Sequence, residues 1–400
     1  MLLIRNANIA TMSQGQLNER TDHALIADKG RITWIGSTKQ IPPQARPAQE
    51  LDAQGAWLLP GFIECHTHLI YAGCRTNEFA DRLTGRSYQE ICQSGGGILS
   101  TVQATRAASP DQLLAATTPR LNDLIRQGVT TIDLKSGYGL NLESELKILN
   151  LARKIPDQFP IKVITGLLAA HTTPPEFSSA DDYIDHIIET ILPAAIEQNL
   201  ADYVDCFTES IGFSPDQTRR LFQAAKNHNL KIRIHADQLS NLEGAGLAAE
   251  FKALSADHVE YTSELSAQKM ADAGTVAVLL PTAFYYLKET QMPPIDAFRR
   301  HGVPLAVSTD SNPGTSPSTN LLLALNMAST LFGLTIQEAL LGATANAAKA
   351  LGIADQVGSL ELGKQADLAL WAIDHPNQLV GRIQSPPLIA RWLSGIQTPT

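Results

Sequence analysis

Trp57-Leu58-Leu59-Pro60-Gly61-Phe62-Ile63-Glu64-Cys65-His66-Thr67-His68 carries an apolar run straight into two histidines one residue apart. Side chains two apart on an extended chain share a face, so His66 and His68 project together while Cys65 points the other way. An H-x-H pair alone fits two surface histidines as readily as a metal site. The rest of the chain decides its meaning. Short apolar, β-branched runs recur at 57–66, 130–135, 162–171, 203–209, 231–235, 255–259, 276–281 and 304–310. Amphipathic helical patterns separate them, for example at 111–127, 142–154, 181–198 and 215–229. This alternation predicts an α/β fold, a (β/α)8 TIM-like barrel. A doubly wound open sheet is the competing layout, but the glycine-rich phosphate turn expected after its first strand is not visible.

The ends of these runs carry the chemistry. The first closes on His66 and His68, the third on His171, the fifth on His235, the sixth on His258 and the eighth on Asp310. Strand C-termini of a barrel open onto one mouth, so these residues should converge there. Two imidazoles on one face, a third from another strand and a carboxylate are the donor set of a catalytic zinc or iron site. His235 and Asp310, each at a predicted strand end, turn the H-x-H pair toward that reading.

Outside the barrel pattern, both ends of the chain look like pieces of a small β unit. Ala24–Ala27, the turn Asp28-Lys29-Gly30 and Ile32-Thr33-Trp34-Ile35 read as a hairpin, and the stretch after Gly358 repeats that style. Neither end has enough apolar material for a core of its own. We expect them to pair into a small β-sandwich domain, residues 1–55 with 353–400, around a barrel at 56–352. The Gly95-Gly96-Gly97 run is expected to form a mobile loop over the site. A net charge of −9 with no Lys/Arg-rich run argues against nucleic acid or an anionic membrane as partner, yet leaves room for a small anionic substrate. The first twelve residues read as a strand and not as a signal peptide, and no apolar stretch is long enough to span a bilayer. Four cysteines (Cys65, Cys74, Cys92, Cys206) without C-x-x-C spacing suit a reduced, cytoplasmic protein.

The segment Pro60 to His68 resembles the strand-one signature of the amidohydrolase superfamily, whose members carry a (β/α)8 barrel and a small β-sandwich. Several further stretches resemble a narrower branch, the enzymes that open the imidazolone ring of 4-imidazolone-5-propanoate. These are Gly73-Cys74-Arg75-Thr76-Asn77-Glu78-Phe79, Ser94-Gly95-Gly96-Gly97-Ile98, Lys135-Ser136-Gly137-Tyr138-Gly139-Leu140, Ala170-His171-Thr172-Thr173-Pro174-Pro175-Glu176-Phe177 and Thr309-Asp310-Ser311-Asn312-Pro313-Gly314. The resemblance implies that His66, His68, His235 and Asp310 hold one zinc or iron ion, that Arg75, Tyr138, His171, Asn312, Gly314 and Thr315 contact substrate or product, and that the protein is a homodimer. Arg75 suits a carboxylate, because its planar fork matches two oxygens. The implied reaction is hydrolysis of the ring amide, with Asp310 taking a proton from water and His258 stabilising the oxyanion.

One position departs from related enzymes, which often have glutamate three residues after the strand-five histidine. Here His235-Ala236-Asp237-Gln238 places an amide there. Gln238 can orient substrate but cannot carry protons, so Asp310 or His258 must, with Asp237 a weaker candidate. Glu209 is open to two readings, a second-metal ligand or a salt bridge or hydrogen bond. Lys135 is expected to form an ion pair at the mouth, and Cys65 to be a packed thiol. Two other functions compete: a deaminase sharing the metal site, against which Gln238 counts, and a catalytically silent scaffold, against which the complete ligand set counts.

Overall fold

The computed structural model describes residues 1–86, 96–384 and 386–399. Gly95 of the expected mobile loop and Cys92 lie outside them. The chain begins with β1 (Leu2–Ala10), β2 (Glu19–Asp28), β3 (Arg31–Ser37), β4 (Gln49–Asp52), β5 (Trp57–Pro60) and β6 (Phe62–Glu64). It continues with β7 (Val129–Lys135), β8 (Lys162–Ala170), β9 (Tyr203–Thr208), β10 (Lys231–Ala236), β11 (Ser255–His258), β12 (Val276–Leu279) and β13 (Leu305–Val307). It ends with β14 (Leu368–Trp371), β15 (Leu388–Leu393) and β16 (Ile396–Thr398).

Strands β6 to β13 lie side by side in chain order and pair in parallel. The sheet curls until its two edges meet. Thr67, beyond β6, bridges Ser311, beyond β13, and His68 N donates to Ser311 O at 2.9 Å. The result is a TIM-like barrel, as the alternating pattern predicts. Its helices start where short polar side chains can satisfy their first free N–H groups. Ser109 and Ser214 each form a capping box with a glutamine three residues on, and proline comes directly after each serine. The helical run at 181–198 is continuous in sequence but changes winding, from Ala180–His186 through a π-helical turn at Ile187–Ile191 to Leu192–Glu197.

The apolar run 57–66 is two strands, not one. Gly61 divides them: a Cβ there would overlap the Thr130 side chain. Before that point β5 leaves the barrel and pairs with β1 and β14, with Trp57 opposite Trp371. Both chain ends thus share one sheet, ordered β16-β15-β14-β5-β1-β2-β3, with β4 also on β1. The hairpin expected at 24–35 is present, its turn made by Lys29 and Gly30 with φ of 49° and 81°. Leu2, Ile4, Ile9, Leu25, Leu58, Leu368, Leu370 and Trp392 form an apolar core for this sheet, distinct from the barrel's. Buried Arg391 fastens the sheet to the barrel by donating to the carbonyls of Val129 and Pro160, both at 2.7 Å. No helix among the described residues is long and apolar enough to cross a membrane.

Candidate metal centre

The strand ends meet as their order requires. His66 and His68 lie just past β6, His235 is the penultimate residue of β10, His258 ends β11, and Asp310 lies three residues past β13. All five are buried. Asp310 Oδ1 is 3.4 Å from both His66 Nε2 and His68 Nε2, and His68 Nε2 is 3.4 Å from His235 Nε2. Tetrahedral ligands about 2.05 Å from a zinc ion would stand about 3.4 Å apart, so these spacings match a shared ion. Ligand atoms of His66, His68 and His235 form one compact group, and those of His66, His258 and Asp310 another. His66 Nε2, His68 Nδ1, His258 Nδ1 and Asp310 Oδ1 are buried without a hydrogen-bond partner among the described residues. Unpaired buried polar atoms are costly, and a cation would satisfy those that face the centre.

The outer ring atoms decide which nitrogens face inward. His66 Nδ1 lies 2.6 Å from Asp257 Oδ2, and His235 Nδ1 lies 3.1 Å from Asp205 Oδ1. A carboxylate at Nδ1 takes the N–H and leaves the Nε2 lone pair for a metal. Burial pushes the His68 imidazole down to about 4 and that of His258 down to about 3, so both are neutral at physiological pH. Burial opposes ionisation of Asp310, but the imidazoles of His66 and His68 outweigh it and hold the carboxyl well below its usual range.

Beneath the histidines lies a buried set of charges that motif reading does not isolate. Lys135 Nζ is 2.9 Å from Asp205 Oδ2, 3.1 Å from Asp133 Oδ2 and 2.7 Å from Tyr203 Oη. Arg233 Nη2 donates to Asp257 Oδ2 at 2.7 Å, and its Nε to Ser255 Oγ at 2.8 Å. Lys135 therefore does form ion pairs, but inside the barrel with no exposure and not at the open mouth. A signal for this set exists in the strands: Asp133 with Lys135, and Arg233 with His235, are two apart on apolar strands, so each pair shares an inward face.

The substrate candidates surround the mouth. Tyr138 sits between Gly137, with φ of 113°, and Gly139, where a Cβ would overlap the backbone of Glu145. Glu145 holds this loop by accepting from the N–H groups of Gly137, Gly139 and Leu140. His171 stacks on His68 with ring centroids 5.3 Å apart, and its Nδ1 is 3.0 Å from Gly137 O. Tyr138 is 5.4 Å from His171, ring to ring, and burial pushes its phenol up, keeping it a proton-bearing donor. Asn312 has little capacity left for a ligand. Its Oδ1 accepts from Gly314 N and Thr315 N, and its Nδ2 donates to Asp310 O and Thr315 Oγ1. It shapes the turn, and the backbone of Gly314 and Thr315 is what that turn presents. Arg75 packs on Gly314.

Gln238 is nearly buried just past β10. Its neighbours Asp237 and Glu209 are both engaged elsewhere. Asp237 accepts from Gly244 N, Ala245 N and Thr262 Oγ1, which fixes the start of the helix Gly244–Glu250. Glu209 accepts from Leu239 N at 2.9 Å, Ser240 N at 3.1 Å and the Ser240 hydroxyl, which makes it an anchor for the segment after Gln238. Its carboxylate is spent on the chain's own backbone and a serine hydroxyl, with no ion pair among the described residues, and it belongs to neither ligand group found there. Cys65, just past β6, is buried in an apolar cluster with Ile63, Val276 and Leu280.

A TIM-like barrel whose mouth gathers H-x-H, two further strand-end histidines and an aspartate defines a hydrolase of the amidohydrolase class. The family model described as "Amidohydrolase family" matches residues 57–395, and the chain belongs to that family. Within it, the chain belongs with the imidazolonepropionases. A protein of that name from Cupriavidus necator is 55% identical over 359 residues, 90% of this chain and 86% of its own. Another, from Mesorhizobium japonicum, is 51% identical over 395 residues, 98% of this chain and 97% of its own. Among solved structures, an adenosine deaminase from Xanthomonas campestris with bound zinc matches at a TM-score of 0.75 and 19% identity, covering 99% of this chain and 92% of its own. At that identity the match speaks for the fold alone.

Proposed function

We propose that the chain hydrolyses the ring amide of 4-imidazolone-5-propanoate to N-formimidoyl-L-glutamate, a step of histidine degradation, with one zinc or iron ion held by His66, His68, His235 and Asp310. The 3.4 Å spacing of Asp310, His68 and His235 atoms around a buried point carries the metal part of this reading, and kinship with the imidazolonepropionases supports its substrate. A divalent ion held there supplies Lewis acidity, lowering the pKa of water from about 15.7 toward about 7 and polarising a carbonyl.

The chain's own groups divide the remaining work. Arg75 binds the propanoate through its guanidinium, and the Tyr138 hydroxyl donates a hydrogen bond to the substrate while keeping its proton. His171, its Nδ1–H assigned to Gly137 O, offers the Nε2 lone pair to a ring N–H. The N–H groups of Gly314 and Thr315 serve Asn312, so it is the surface of that turn which walls the site. Asp310 takes a proton from water as its oxygen adds to the ring carbonyl carbon, and neutral His258 donates its N–H to the oxyanion. When the ring C–N bond breaks, Asp310 returns that proton to the leaving nitrogen, since the Gln238 amide cannot. Gln238 positions the ring by hydrogen bonds.

We also propose the small β-sandwich formed by both ends as a domain separate from the barrel expected at 56–352, with β5 (Trp57–Pro60) on the side of the chain ends, and a cytoplasmic homodimer acting on a small anionic substrate, with neither nucleic acid nor membrane as partner. The deciding experiment monitors the ultraviolet absorbance of imidazolone and the appearance of formimidoylglutamate with purified, metal-loaded protein. Imidazolone loss without ammonia release is the expected result. Persistence of imidazolone while ammonia appears from a nucleobase would overturn the assignment.

A further inference from the structure

Arg75 is held from behind by a carboxylate. Its Nε donates to Glu78 Oε2 at 2.9 Å, and its Nη2 lies 2.9 Å from the same oxygen. The second oxygen, Glu78 Oε1, accepts from the backbone N–H of Gly97 at 2.9 Å. On the other side of the guanidinium, Nη1 fills the space beside Gly314 that a Cβ would occupy. The Arg75 and Glu78 side chains are 9% and 17% exposed, so solvent screens their contact little. Glu78 lies in the first turn of the helix Thr76–Leu83, and Gly97 stands immediately before the helix Ile98–Ala107 with φ of 76°. One carboxylate thus joins the Arg75 loop, the start of a second helix and, through Arg75, the turn at 312–315.

We propose that Glu78 is a positioning residue: it fixes the Arg75 fork for the carboxylate of the substrate's side chain and so sets the preference for a propanoate-bearing ring. This rests on the reading that Arg75 binds that carboxylate. A free arginine side chain samples many rotamers, and ordering them on binding weakens affinity. Glu78 imposes that order beforehand, taking the Nε edge and leaving Nη1 toward the Gly314 turn. Its negative charge does not cancel the benefit. Glu78 and an incoming carboxylate would lie across the guanidinium, each nearer to the cation than to the other anion, so attraction exceeds repulsion. Glutamine cannot replace it. A single amide oxygen can serve Arg75 or Gly97, and its NH2 would then face a second donor.

The test compares 4-imidazolone-5-propanoate with its neutral methyl ester on the wild type, Glu78→Gln, Glu78→Asp and Arg75→Ala. Loss of the clamp in Glu78→Gln should raise KM for the acid roughly tenfold, change kcat less, and shrink the acid-over-ester preference in kcat/KM by a similar factor. Glu78→Asp, too short to span both partners, should move the same way and stands in if the glutamine variant does not fold. A merely structural role would depress acid and ester alike, and that result overturns the inference. If Arg75→Ala erases the preference while neither Glu78 variant alters it, the inference about Glu78 fails and the Arg75 reading stands. If Arg75→Ala also leaves the preference intact, both fall.

Discussion

His66 and Asp257 are joined by a 2.6 Å contact between Nδ1 and Oδ2, and neither side chain has any exposed surface. Asp257 accepts from Arg233 through the same oxygen, so the imidazole plane is locked into the barrel wall. Such outer carboxylates set ring orientation and metal affinity. Asp257→Asn should therefore weaken metal binding about 10- to 100-fold, read by competition with a chelator. Unchanged affinity would detach Asp257 from the centre.

Asp310→Asn should preserve the far-ultraviolet circular dichroism spectrum and cut turnover by roughly 10²–10⁴-fold, because the amide cannot take the proton. Metal content measured on the same sample separates loss of the base from loss of the ion. Near-normal turnover would remove Asp310 from the proton path.

Arg75→Ala should raise KM for the imidazolone with a much smaller change in kcat, since carboxylate binding is common to ground and transition states. An unaltered KM would take Arg75 off the substrate surface.

Gly314→Ala probes the same contact from the other side. The added Cβ would overlap Nη1 and Cζ of the guanidinium that Glu78 holds, so the expected result is a displaced guanidinium and a raised KM with a modestly lowered melting temperature. A large stability loss with KM intact would contradict this packing.

Protein stripped of metal should lose stability as pH falls from about 7 to about 4. His68 titrates near 4 and His258 near 3 when folded, against about 6.5 in an unfolded chain. Between those values the unfolded state binds more protons, so acid favours it, and the stability these groups allow is restored above about 6.5. Thermal melts with and without added zinc at pH 7 should also show the ion raising the melting temperature.

Much of the site could be read directly because barrel topology turns distant strand ends into neighbours: His66, His235, His258 and Asp310 needed only the right run boundaries. The break at Gly61 was hidden, since apolar residues continue through it and a period-two pattern does not say which sheet a strand joins. Asp205 and Asp257 were hidden for another reason. One acidic residue in an apolar strand reads equally as an outward-facing edge residue, and only the tertiary fold supplies the imidazole it serves. Glu78 sits three residues from Arg75, the spacing of an ordinary helical surface pair, and nothing local reveals Gly97 or Gly314 beside it.

The ladder between β5 and β14 sets Trp57 opposite Trp371, more than 300 positions later. At about 5–20 residues per second, a ribosome needs on the order of 15–60 s between the two. During that time β5 has its β1 neighbour but not the one on its other side, and a nascent chain exposes a strand edge of the kind that recruits chaperones or sticks to a second copy. Supplying the final strands late is thus a kinetic hazard built into this topology, and a stop codon just before Leu368 should make the product insoluble even with every metal ligand in place.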